Sequence, residues 1–210
     1  MLPDFYTTMK KKLQLLILAL FCSSALLAQD FAKQTEMYRK KYKEEFTKTS
    51  NSPLKKEDLK YLQFYDADST FRLKASFERV RHSQSFEMPT YSGMKKTFVK
   101  YGTLRFKLNG KRQKLTVYRS LSLETLPQYK DYLFLPFKDK TSGNETYGGG
   151  RYIDLKTTEV KNGTYMLDFN KAYNPYCAYS DGFNCPIPPK ENHLAIAIEA
   201  GERNYSKNPN

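Results

Sequence analysis

From Thr70 the chain alternates: Phe71, Leu73, Ala75 and Phe77 are apolar, while Arg72, Lys74, Ser76 and Glu78 are polar. A period of two makes a strand with one buried and one wet face. The pattern returns at Leu104, Phe106 and Leu108, ends at Asn109-Gly110, and resumes at Leu115, Val117 and Leu121. Asn-Gly between alternating runs is the strongest two-residue hairpin signal. Asn162-Gly163 marks a second such turn, and further strands are expected over 132–137, 147–155, 165–169 and 193–200. About eight short strands with hairpin punctuation predict a mainly β fold, an antiparallel barrel or sandwich. Before the strands, Phe31, Met37, Tyr38, Tyr42 and Phe46 recur at roughly helical spacing. Ser52-Pro53 then reads as the start of a second helix, with Ser as cap and Pro in the first turn. Leu54, Leu59, Leu62 and Tyr65 would line one face of it.

The first 28 residues follow a different logic. Lys10, Lys11 and Lys12 precede an apolar run from Leu13 to Leu27, with small residues near its end. That order is the secretory signal, with cleavage expected between Ala28 and Gln29. The run is shorter than the ~20 residues of a bilayer span. The expected organisation is a signal peptide over 1–28, a helical arm over 29–69, a β-rich domain over 70–203 and a frayed tail over 204–210. The product would be periplasmic or extracellular, with no integral membrane span after processing. Met9 directly precedes the lysines and is an alternative start.

Removing 28 of 210 residues leaves 182, enough for one domain with a real core. The lost segment carries three lysines and one aspartate, so the formal charge falls from +13 to +11. Cations spread along the chain fit a soluble surface better than a nucleic-acid partner, and no nucleic-acid motif occurs. Cleavage also removes Cys22, leaving Cys177 and Cys185. An even pair in an exported chain favours a disulfide over two free thiols or a metal site. With two histidines in the chain and no Cys-x-x-Cys, neither metal nor cofactor is expected.

Chemistry-bearing residues crowd into two loops. The first holds Asp139, Thr141, Ser142, Glu145, Tyr147 and Arg151 around Gly143 and Gly148-Gly149-Gly150. Glycines let backbone approach a ligand, and an Arg fork suits a carboxylate or phosphate. The competing reading is a tight structural loop, with Arg151 paired to Glu145 or Asp154. The second loop holds Asp168, Asn170, Tyr173, Asn174, Tyr176 and Tyr179. If the loops met at one rim of a barrel, carboxylates and an arginine would permit ligand binding or acid–base chemistry. Equally, they permit a buried network that fixes loop shape. With 17 Tyr, 14 Phe and no Trp, most rings belong to the core, and a few loop tyrosines can stack on a sugar.

FKDKTSGNETYGGGRYIDL and LDFNKAYNPYCAYSDGFNCPIPPKENHLAIAIEAGE, preceded by YGTLRFKLNGKRQKLTVYRS, resemble in order the motifs of the bacterial family called domain of unknown function 1684. The resemblance spans roughly residues 60–203. It implies one β-rich domain and bacterial origin, and it supplies no catalytic assignment. The family commonly has arginine where His193 stands, which argues against a catalytic role for that histidine. Two function classes follow. The leading one is a non-catalytic envelope module that takes a small anionic or sugar-like ligand at Asp139, Thr141, Glu145, Tyr147, Arg151, Asp168, Asn170 and Asn174. The alternative is a hydrolase or lyase using Asp139, Glu145 or Asp168.

The export reading predicts that protein from its native envelope fraction has an intact mass beginning at Gln29. A mass that retains residues 13–28 would contradict it.

Overall fold

A computed structural model describes Met9 and residues 28–207. Apart from Met9 and Ala28, the expected leader lies outside these residues. Helix α1 runs over 28–48. Its inward stripe is Phe31, Thr35, Tyr38, Tyr42 and Phe46, with steps of three and four residues. Met37 is 64% exposed, because its neighbour Tyr38 already occupies the stripe and one residue is a rotation of ~100°. The expected second helix is absent. Ser52 Oγ accepts from the Leu54 amide at 3.2 Å, which bends the chain into a turn. Only a 3-10 helix follows, Lys56–Tyr61, with Lys55 N donating to Asp58 Oδ2 at 2.9 Å. Leu54 and Leu62 nonetheless bury against Phe46, as apolar anchors for α1.

The strands are β1 (Arg72–Arg79), β2 (Ser85–Pro89), β3 (Lys95–Leu108), β4 (Lys111–Ser120), β5 (Tyr132–Phe137), β6 (Arg151–Lys156) and β7 (Thr164–Asp168). Helix α2 (Leu121–Glu124) is a single turn after β4. The strands form one antiparallel sheet in the order β6-β5-β4-β3-β1-β7, curled into a half-barrel, with β2 also paired to β3. Asn109 and Gly110 both have positive φ, 49° and 77°, as a tight hairpin turn requires. Asn162-Gly163 makes a turn as well, but the pairing across it is one isolated bridge, Lys161 to Thr164. β2 carries too few alternating residues to announce itself.

A bulge shapes the sheet. The β3–β4 register shifts between Lys100 and Gly102, leaving Tyr101 unpaired. One extra residue reverses which parity points to which face. Beyond the bulge, Leu104, Phe106 and Leu108 enter the main core with Leu115, Val117, Leu133, Leu135 and Leu167. Before it, Phe98 enters a second, aromatic cluster with Met88, Tyr118, Phe134 and Tyr152 on the other face.

The sheet is not closed by a strand. Residues 193–200 keep the expected period of two, with Leu194, Ile196, Ile198 and Ala200 buried in the main core, but they are not in a β-ladder. At its start this segment bonds the chain after β5: Leu194 N donates to Lys138 O at 2.8 Å, and Lys140 N to Ile196 O at 3.0 Å. Further on, its partner is a side chain. Arg151 Nη2 donates to Ile198 O at 2.8 Å, and Nη1 to Ala200 O and to Glu202 O, the last at 3.1 Å. Alternate carbonyls of an extended chain point the same way, so one planar guanidinium can serve three of them. Its charge is met by Asp139 Oδ2 at 2.8 Å, with both side chains fully buried.

The glycine loop serves this arrangement. Thr141 O accepts from the amides of Asn144, Glu145 and Thr146, a tight turn that delays β6 until Arg151 rather than the expected residue 147. Gly150 has φ +92°, and a Cβ there would lie 2.6 Å from Phe137 O. It is glycine so that the chain can pack on β5. Residues 204–207, the described part of the segment expected as a frayed tail, run back over the surface, with Asn204 N on Glu145 O at 2.9 Å and Lys207 Nζ on Asp58 Oδ1 at 2.7 Å.

Breaking a buried ion pair by removing one partner costs about 3–5 kcal/mol. Arg151→Gln should therefore lower unfolding free energy by roughly that amount in urea titration. A change under about 1 kcal/mol would show that the pair is not buried as described.

Candidate functional site

The loop residues singled out by sequence do not meet at an open pocket. Asp139, Thr141 and Arg151 do come together, but inside the protein. Asp139 Oδ1 accepts from Thr141 N at 2.7 Å and from its hydroxyl, while Oδ2 holds Arg151. Glu145 is exposed and accepts from Tyr65 OH at 2.9 Å. Tyr147 donates to Cys177 O at 3.3 Å. Asp168 and Asn170 close a turn, with Asp168 Oδ1 taking the Asn170 amide at 3.0 Å and Asn170 Nδ2 donating to Asp68 O at 2.8 Å. Asp168 also borders a 140 Å³ cavity beneath α1. Asn174 is buried and binds Arg203 O through Nδ2 at 2.8 Å. Asp154 is not the partner of Arg151. The two lie three apart on one strand, so parity sends their side chains to opposite faces.

That opposite face holds an open cleft that the sequence reading missed. One compartment, about 400 Å³, is lined by Tyr38, Tyr42 and Glu45 of α1, by Tyr152 and Asp154 of β6, and by Tyr173. Asp154 reaches solvent through the cleft yet is surrounded by protein. Its Oδ1 accepts from Tyr132 OH at 2.8 Å and Tyr173 OH at 2.7 Å. Phe134 faces Asp154 across the β5–β6 ladder, and Tyr132 sits one diagonal away, within reach for its hydroxyl to meet the carboxylate. Tyr173 is set beside Tyr152 by reciprocal backbone bonds of 2.9 and 3.0 Å.

Burial pushes the Asp154 carboxyl above its ordinary range, and the charge of Glu45 adds to this, although both tyrosine donors oppose it. Burial, with the charge of Asp154, pushes Tyr132 and Tyr173 well up, so both remain donors. A signal for Asp154 existed in the sequence: an aspartate between Ile153 and Leu155 is a strand position that Asp normally avoids. The lining loop is braced by the Cys177–Cys185 disulfide, expected from the cysteine count and present, with Cα atoms 6.2 Å apart. Cys185 and Pro186 both touch the cleft.

One buried carboxylate ties α1 to the rest. Glu202 is fully buried and accepts from Tyr42 OH at 3.0 Å, Tyr179 OH at 2.6 Å and Asn174 N at 2.9 Å. Burial is the main cause that raises it to about 7. Among the described residues no helix is long and apolar enough to cross a membrane.

The chain belongs to the family described as protein of unknown function (DUF1684), whose model matches residues 57–203. Solved structures match as well, among them the solution NMR structure of an uncharacterized protein from Haloarcula marismortui. It is 33% identical, with a TM-score of 0.64, over 83% of this chain and 95% of that one. No curated protein matches the chain.

Glu202 sets a pH dependence. Its folded value near 7 lies above the ordinary 4.5, so the folded protein holds a proton that the unfolded chain has released. The stability this confers is full below pH 4.5 and is lost as pH rises through 7. Asp58 and Glu191 are shifted down and act oppositely, so the difference from Glu202→Gln isolates the effect. Relative to that variant, the wild type should lose on the order of 2–4 kcal/mol between pH 4.5 and 8. Parallel pH profiles of the two proteins would contradict the buried, protonated Glu202.

Proposed function

We propose that this protein is an exported, non-catalytic binding module, and that the Asp154 cleft takes a small sugar-like ligand. One observation carries the reading: a solvent-open carboxylate, held by two tyrosine hydroxyls, lies in a cleft walled by aromatic rings. Rings offer flat apolar faces to the C–H side of a sugar, and a carboxylate accepts strongly from its hydroxyls. A cleft near 400 Å³ is within the usual range for small ligands. The site is placed here rather than at the rim loops because the Nη donors of Arg151 are directed at backbone carbonyls and Asp139.

The raised Asp154 beside Glu45 favours a second reading. Two carboxyl groups in one cleft, one of them pushed above its ordinary range, are a pairing used in general acid–base hydrolysis. The enzyme alternative thus moves from Asp139, Glu145 and Asp168 to Asp154.

Saturation-transfer NMR with glucose, cellobiose and N-acetylglucosamine tests binding. At least one should receive saturation, and Asp154→Asn or Tyr173→Phe should weaken it about tenfold without lowering the melting temperature. Binding unaffected by both variants would overturn the site. Release of glucose from cellobiose, abolished by Asp154→Asn, would favour the enzyme.

A further inference from the structure

The cleft has a second compartment. Tyr152 and Tyr173, perpendicular at 89° with ring centres 5.9 Å apart, line the Asp154 compartment and also a neighbouring space of about 420 Å³. Lys96 and Pro186 border both as well. The two spaces therefore adjoin across one pair of rings. Their chemistry is opposite. Both carboxylates, Asp154 and Glu45, line only the first. The second is lined by Lys95, Lys96, Ser120 and Ser122, and by no carboxylate.

We propose that this second compartment is an anion subsite, so that the ligand is a polyhydroxylated ring carrying a phosphate or a carboxylate. The inference rests on the reading of the Asp154 compartment as a sugar site and names its ligand class. Lys96 lies two residues before Phe98 on β3, so its stem shares the face of the aromatic cluster, and the residue lines both compartments. No carboxylate lies within 4.0 Å of the Lys95 or Lys96 ammonium among the described residues. Burial moves the Lys96 ammonium below its ordinary value, consistent with a cation that protein has partly desolvated and not yet paired. Ser120 Oγ is buried and lies 3.1 Å from Ser122 Oγ. One hydroxyl proton joins that pair, and the other is left to donate. The Lys96 ammonium and a free hydroxyl donor form an acceptor-seeking end, while Asp154 forms a donor-seeking end. A neutral sugar satisfies the second and leaves the first unused. A cationic ligand would meet Lys96 as a like charge.

Isothermal titration of the full mature chain decides it, with glucose, glucose 6-phosphate, glucuronate and inorganic phosphate as probes. At least one charged sugar should bind roughly tenfold or more tightly than glucose, and which of the two does so identifies the anion. Lys96→Gln should remove that advantage and leave glucose unchanged, whereas Asp154→Asn should weaken glucose and the charged sugars alike. Equal affinity for charged and neutral sugars, or an advantage that survives Lys96→Gln, overturns the anion subsite and keeps the sugar site. Lys96-dependent binding of inorganic phosphate with no sugar bound keeps the subsite and overturns the sugar site. Binding of none of the four probes overturns both.

Discussion

The guanidinium of Arg151 replaces a strand. A half-barrel whose outermost strands, β6 and β7, do not meet must cover its core with something, and here residues 193–203 do so. Their side chains are apolar enough to bury, but their carbonyls face a region with no neighbouring ladder. An unpaired buried carbonyl costs about 1–3 kcal/mol, so three of them would undo much of the gain from burying Leu194, Ile196 and Ile198. Arg151 supplies the missing donors from one rigid plane, and Asp139 supplies the countercharge. Asp139 is in turn fixed by the Thr141 turn, and the turn by its glycines. The polar motif after β5 is thus a single device that lets an irregular segment close a sheet.

With the main core sealed in this way, the opposite face is free to differ. The bulge at Tyr101 turns Phe98 and Lys96 away from the main core. Tyr118 and Ser120 of β4, Phe134 and Tyr132 of β5, and Tyr152 and Asp154 of β6 share that side by strand parity. Helix α1 lies against part of it, anchored by Phe46 to Leu54 and Leu62 and by Tyr42 to Glu202. The cleft is what the helix leaves uncovered. Its walls belong to strands, a helix and a disulfide-braced loop, a supported frame for a binding site.

Much of the sheet was legible in the sequence. Alternation at 71–77, the Asn109-Gly110 hairpin and the run at 132–137 each found its strand, because local patterning and turn chemistry agree with the fold there. The cysteine pair was legible from its count alone. The second helix was misread because Ser52-Pro53 is as good a turn as a cap. Residues 193–200 read as a strand since period two reports extended backbone and burial, not which group accepts the hydrogen bonds. The candidate site failed more instructively. Glycines, carboxylates and an arginine crowd into a polar loop whether it binds a ligand or binds the chain itself. In contrast, Asp154, Lys96 and Tyr173 lie in three separate segments, and only strand parity and the bulge bring them together.

The claim on which both the fold and the site assignment turn is that Arg151 is committed to backbone. Nitrogen-edited NMR of its guanidinium reads this directly. A group fixed on three carbonyls and a carboxylate should show separate, slowly exchanging Nη protons, because rotation about its C–N bonds is blocked. These signals should stay in place when sugars or phosphate are added. Averaged Nη signals that exchange rapidly with water and move on ligand addition would contradict the account and return the site to the glycine loop.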